Sequence, residues 1–184
     1  MAASLPRPRP GRRPSPTERF VKTAIDDILE NAAEHEAGFG GPSAGIPARH
    51  LAIVTCMDAR IDSARIFGLE PGDAHVMRNA GGLVSDDVLR SLVLSQRVLQ
   101  TREVVLMHHT KCGLHGADEA ALRADLAADT GEQPAYEFGA FEDLDEAVRA
   151  AIRRVREHRF LPHRDRVRGF VYDVETGRLR EVIV

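Results

Sequence analysis

The chain has 184 residues, 43% of them hydrophobic, and a formal net charge of −3. That length and apolar share suffice for one core, and the mildly acidic balance excludes a general attraction to nucleic acid or an anionic membrane. Two cysteines are too few for the disulfide framework of a small secreted protein, so reduced thiols in a cytoplasm are expected.

The opening MAASLPRPRPGRRPSP carries arginines without the apolar centre of a secretory signal. Residues 1–15 read as a disordered Pro/Arg-rich tail and 16–184 as a single domain. No stretch approaches the roughly 20 apolar residues of a membrane helix, so a soluble, unexported protein is expected. Ser15 as N-cap, with Pro16 and Glu18 behind it, predicts a helix start. Phe20, Val21, Ala24, Ile25, Ile28, Leu29 and Ala32 then recur with the helical period, giving an amphipathic helix over 16–35. The stretch GFGGPSAGIPAR ends it as a connector.

The continuous apolar run LAIVT, 51–55, predicts a strand covered on both faces. SARIFGLEPGD reads as a short helix and turn, and AHVMRN as a second strand. Ser85 before Asp86 and Asp87 predicts a helix start, with Val88, Leu89, Leu92, Val93, Gln96 and Leu99 on its buried face. A third strand, EVVLMHH, covers 103–109. Strands alternating with helices imply parallel βαβ units. ADEAALRADLAADTG and EDLDEAVRAAIRRVREH follow with helical patterns, and VRGFVYDV, a turn at ETG and LREVIV close the chain as a hairpin. The fold class is α/β: a central, mostly parallel sheet flanked by helices, with a C-terminal hairpin and an N-terminal helical arm.

Open parallel sheets bind ligands at the carboxyl ends of their strands, where the chain order switches direction. Cys56 directly follows the first strand, and His109 and Cys112 follow the third, so the two segments converge at one edge. Two thiolates and an imidazole suit zinc and leave a fourth position for water. H-x-x-C lets both side chains reach one ion from a tight loop, with Gly113 supplying backbone freedom. The same residues also suit two small buried apolar cysteines and a hydrogen-bonded strand-end histidine. Asp58 and Arg60, at alternating positions after Cys56, add a carboxylate that a guanidinium can hold ionised and oriented. A redox role is disfavoured, because no C-x-x-C is present.

CMDAR and HTKC, some fifty residues apart, resemble the C-x-D-x-R and H-x-x-C signatures of the β-class carbonic anhydrases. HVMRNAGG and DDVLRSLVLSQRVLQTREVVLMHH extend the resemblance over about 50–116, and RGFVYDVETGRL resembles the closing hairpin of small bacterial members. The resemblance implies that Cys56, His109 and Cys112 hold Zn2+ and that the enzyme interconverts carbon dioxide and bicarbonate by attack of hydroxide made at the metal. Asp58 would then accept a hydrogen bond from that hydroxide, with Arg60 restraining the carboxylate. It also implies a closed state, favoured at lower pH, in which Asp58 becomes the fourth ligand. A homodimer or higher oligomer, the N-terminal arm packed on the partner, and no nucleic-acid or membrane partner complete the expectation. Relatives with the same metal site hydrolyse carbon disulfide or carbonyl sulfide; a non-catalytic, zinc-stabilised protein is the remaining alternative.

Met57 and Ala59 replace the serines of the better-known CSDSR pattern, touching neither ligand nor dyad. The family's carbon dioxide pocket uses a Gln and aromatic side chains, partly from a second subunit, and no Gln here is assigned to it. Among other residues, His108 must point to the opposite strand face from His109. His115 reads as a solvated loop histidine or a proton relay, and Lys111 as solvated. Arg78 and Asn79 open the RNAGG segment, which suits a plain strand-to-helix turn or a pocket wall.

Overall fold

The computed structural model describes residues 22–41 and 44–184. The tail over 1–15, the Ser15 cap and the apolar pair Phe20 and Val21 lie outside those residues. Contacts divide the chain into two units, one ending at Pro42 and one running from Ser43 to Val184.

In the first unit, α1 spans Ala24–Ala37, so the expected helix over 16–35 is corrected at Thr23, whose extended backbone marks a helix start. Thr23 caps it: the Thr23 hydroxyl accepts the Asp26 amide at 3.3 Å, and the Asp26 carboxylate accepts the Thr23 amide at 2.7 Å. This reciprocal pairing satisfies two donors that a helix start leaves free. No residue of α1 is buried, and Ile25, Ile28 and Leu29 line its exposed apolar stripe.

In the second unit, β1 (Leu51–Cys56), α2 (Ser63–Phe67), β2 (Ala74–Asn79), a 3₁₀ turn (Ala80–Gly82), α3 (Asp86–Arg97) and β3 (Glu103–His109) follow in order. Then come α4 (Glu119–Thr130), α5 (Leu144–Glu157), β4 (Val167–Tyr172) and β5 (Leu179–Val182). The expected α/β class stands: five strands form one sheet in the order β2-β1-β3-β4-β5, with every pairing parallel except β4 with β5.

Hydrophobic burial holds the sheet to its helices. Val54, Leu106 and Val171 share a core with Val88 and Leu92 of α3 and Val148, Ile152 and Val155 of α5, each fully buried aliphatic contributing about 1.5–3 kcal/mol. Gly169 explains how closely α5 approaches β4, since a β-carbon there would stand 2.3 Å from Val148 Cγ1. The expected cap of α3 is present, with Ser85 Oγ accepting the Val88 amide at 3.4 Å. β1 is an internal strand, with β2 on one side and β3 on the other. After β2 the chain therefore crosses back over β1, and the carboxyl ends of β1 and β3 form a topological switch point.

Candidate metal centre

Cys56 is the last residue of β1, and His109 the last of β3. Lys111 then takes a left-handed backbone, φ 55°, which turns the chain so that Cys112 comes back over the strand ends. Gly113 was expected to give this loop its freedom; its φ is not positive, and the strained position falls on Lys111 instead. Cys56, His109 and Cys112 are all buried, and their ligand atoms lie within 4.8 Å of one another.

The histidine tautomer follows from its neighbour. His109 Nδ1 lies 2.9 Å from the Thr110 carbonyl oxygen, which only accepts, so Nδ1 carries the hydrogen and Nε2 the lone pair. Nε2 is buried with no hydrogen-bond partner among the described residues. An orphaned lone pair converging with two thiols fits zinc in both softness and geometry. Burial pushes the Cys112 thiol pKa up, opposed by the Leu114 amide and reinforced by Cys56. A bound cation reverses that preference by stabilising thiolates. Burial likewise lowers the pKa of His109, favouring the neutral imidazole that a metal needs.

Asp58 stands beside this trio, its Oδ2 3.9 Å from His109 Nε2. Arg60 donates Nε to Asp58 Oδ1 at 2.9 Å and Nη2 to Oδ2 at 2.7 Å, and its amide adds a third bond to Oδ1 at 2.9 Å. This fork holds the Asp58 carboxyl well below the usual carboxylate range. Arg60 is anchored in turn by donating Nη2 to the Lys111 carbonyl at 3.0 Å, so the left-handed turn at Lys111 also aims the dyad. Lys111 Nζ pairs with Glu175 at 2.6 Å rather than being simply solvated. The Thr110 hydroxyl, 3.4 Å from Asp173 Oδ1, ties the same loop to the β4–β5 turn.

His108 and His115 are not members of the trio. His108 is buried, with its ring edge-on to Phe141 and neither nitrogen hydrogen-bonded among the described residues. His115 is exposed but fixed: its ring stacks on Phe141, and Nε2 meets the Glu142 carbonyl at 2.9 Å. Arg78 donates Nε to the Cys56 carbonyl at 3.0 Å and Nη2 to the Asp58 carbonyl at 2.8 Å. Neither the turn reading nor the wall reading anticipated this, because the acceptors are backbone atoms without a side-chain signature. A cleft of about 510 Å³ opens beside Arg60, lined also by Arg65, Ile66, Tyr172 and Leu179 and not by the trio.

A switch point that gathers two cysteines, a histidine and an Arg-held carboxylate defines an α/β protein with a metalloenzyme type of site. Comparison with known proteins narrows the class. The family model described as carbonic anhydrase matches residues 51–135. Beta-carbonic anhydrase 1 of Mycobacterium tuberculosis is 44% identical over 160 residues, which cover 87% of this chain and 98% of that protein. The crystal structure of carbonic anhydrase from Streptococcus mutans superposes with a TM-score of 0.82 at 38% identity, covering 89% of this chain and all of that one. A carbon disulfide hydrolase of Acidianus is more distant, 35% identical over 162 residues and covering 74% of this chain and 79% of that protein. The chain belongs to the β-carbonic anhydrases, a family of zinc enzymes.

Proposed function

We propose that this protein is a zinc-dependent carbonic anhydrase that interconverts carbon dioxide and bicarbonate, with Cys56, His109 and Cys112 as metal ligands and Asp58 and Arg60 as its dyad. One observation carries the reading: an ionised carboxylate, gripped by Arg60, stands 3.9 Å from the free lone pair of His109. Zinc held by the trio would supply a nucleophile at neutral pH by lowering the pKa of water to about 7. The chain's own residues do the rest. The Thr110 carbonyl keeps the hydrogen on His109 Nδ1 and so keeps Nε2 available. Asp58, charged and able only to accept, takes the proton-bearing side of a hydroxyl nucleophile, leaving a lone pair free for the carbon of carbon dioxide. Arg60 fixes that acceptor and offsets its charge. The reading places Asp58 on Arg60 at working pH and on the metal only in a closed, acid-favoured state.

Among the described residues no helix is long and apolar enough to cross a membrane. The two free cysteines support a cytoplasmic setting. The apolar stripe of α1, with Ile25 68%, Ile28 63% and Leu29 64% exposed, supports a homodimer in which this arm finds its cover on the partner; light scattering behind gel filtration reads the mass. Stopped-flow carbon dioxide hydration against pH, on protein with measured zinc content, tests the catalytic reading. One zinc per chain and a rate rising with pH is expected. Zinc without hydration, together with turnover of carbon disulfide, would replace it with the activity named for the Acidianus relative.

A further inference from the structure

The RNAGG segment, 78–82, falls outside the ligand set and the dyad, yet it surrounds the backbone that carries both. Arg78 binds the carbonyls of Cys56 and Asp58 with one guanidinium, at 3.0 and 2.8 Å. The Met57 amide, between them, donates to the Asn79 carbonyl at 2.8 Å. The Asn79 side chain closes its own turn, accepting the Leu83 amide and donating to the Leu83 carbonyl, both at 2.8 Å. Three consecutive residues, Cys56 to Asp58, are thus held from the β2 side of the sheet by contacts to main-chain atoms.

Arg60 fixes the carboxylate of Asp58, and the Ile61 amide donates to the Asp58 carbonyl at 3.0 Å, but neither reaches Cys56, so a second device is needed to keep thiolate and carboxylate in one frame. We infer that Arg78 is a positioning residue, whose forked hold on the Cys56 and Asp58 carbonyls sets the spacing between metal ligand and orienting acid. The inference rests on the zinc reading above for its catalytic consequence, and on the hydrogen bonds alone for its structural one. Two carbonyls separated along the chain require a planar, two-pronged donor. Lysine, a point charge on a flexible stem, has donors enough but lacks the rigid planar fork that sets the spacing of the two acceptors. The chain therefore constrains the CMDAR segment from both ends: Arg60 acts on the side chain of Asp58, and Arg78 acts on its main chain.

The test compares full-length wild type, R78A and R78K in four measurements: zinc affinity by chelator competition, the visible spectrum of the cobalt-substituted protein, amide exchange at Met57, and the pH profile of carbon dioxide hydration. Loss of a group that orients metal ligands costs about 10–100-fold in metal affinity or activity. R78A is expected to fall in that range for zinc affinity, to alter the cobalt bands, and to lower kcat more than it raises KM. Added guanidinium should partly restore R78A, and R78K should lie between it and wild type. Faster exchange at Met57 is expected in both variants, with or without metal. Wild-type zinc affinity, cobalt spectrum and Met57 exchange in R78A would overturn the inference. If R78A does not fold, the same wild-type values in R78K would overturn it, because lysine cannot reproduce the fork. A wild-type protein that binds zinc but does not hydrate carbon dioxide would defeat the catalytic reading while the affinity, cobalt and exchange measurements still decide the role of Arg78.

Discussion

Gly82 lies directly against Cys56: a β-carbon on Gly82 would stand 2.9 Å from the Cys56 amide nitrogen and 3.2 Å from the Met107 carbonyl oxygen. Its φ of +68° is already one that other residues adopt only at a cost. Backbone atoms cannot swing aside as a side-chain tip can, so Gly82→Ala must displace the end of β1. The substitution should cost about 2 kcal/mol or more, from strained backbone and steric overlap together, and should lower zinc occupancy below one per chain. Gly113→Ala is the matched control, because nothing lies within 4 Å of its added carbon. Urea unfolding and metal analysis of both variants check the contrast.

Asp58 should matter to turnover and little to metal retention. Asp58→Ala leaves all three proposed ligands in place and removes the orienting acceptor, so zinc should stay near one per chain while kcat/KM falls at least about 100-fold. A variant that instead sheds zinc would mark Asp58 as a structural ligand. Arg60 depresses the folded-state pKa of Asp58, so the pair stabilises the protein above the unfolded carboxyl value, about 3.9, and is lost only as pH falls through the lower folded value. Asp58 therefore stays ionised through mild acid, so in the proposed closed state it would reach the metal by exchanging partners, without itself being protonated. Arg60→Ala removes the competing partner and should shift the acid limb of the activity profile to higher pH, as a pH series of initial rates reports.

His108 predicts an acid instability separate from catalysis. Burial, with His109 adding to it, pushes its pKa down to about 4. The unfolded chain takes up a proton near pH 6.5 that the folded chain refuses. Stability is thus full above the unfolded value and falls as pH drops from there to about 4, by about 3 kcal/mol at most. His108→Leu removes both the buried ring nitrogens and the titration. It should be neutral or stabilising at pH 7 and should flatten this part of the pH dependence, as urea unfolding at pH 7 and pH 4.5 will show.

The β-strand core was legible because β1 and β3 announce themselves as buried apolar runs, and because short chemical spacings, C-x-D-x-R and H-x-x-C, sit at their ends. Placing the site then needed only the rule that ligands gather at a switch point. The supporting devices were less visible for a physical reason. Arg78 acts on carbonyls that every residue type carries. Thr110 and Asp173 meet across 63 positions. Gly113 attracted attention as the flexible residue beside the site, whereas the left-handed turn sits at Lys111, whose side chain gives no sign of it. The capping box at Thr23 and Asp26 is a further case, since Asp at the third helical position does the work expected of Glu or Gln.

Glu119 offers the last prediction, because one carboxylate fastens a long loop. Its oxygens accept the amides of Phe138 at 3.0 Å, Gly139 at 3.1 Å and Ala140 at 3.3 Å, while Arg123 donates to the same group at 3.0 Å. These bonds hold its pKa down to about 2, with the Phe138 amide first among the causes. The loop matters to packing near the site: a β-carbon on Gly139 would stand 2.4 Å from Leu83 Cδ1, and Leu83 is the residue that Asn79 holds. Since the folded pKa lies below the unfolded one, the clamp is complete above about pH 4.3 and opens as pH falls towards 2. Glu119→Gln keeps the shape but loses the charge and one of its two acceptor oxygens, so at least one of the three amides is left without a partner. Amide exchange at 138–140 should accelerate in that variant at pH 7, while exchange in β1 and β3 stays unchanged. Unaltered exchange at 138–140 would mean that Arg123, through its bonds to the Pro134 and Tyr136 carbonyls, holds the loop without the carboxylate.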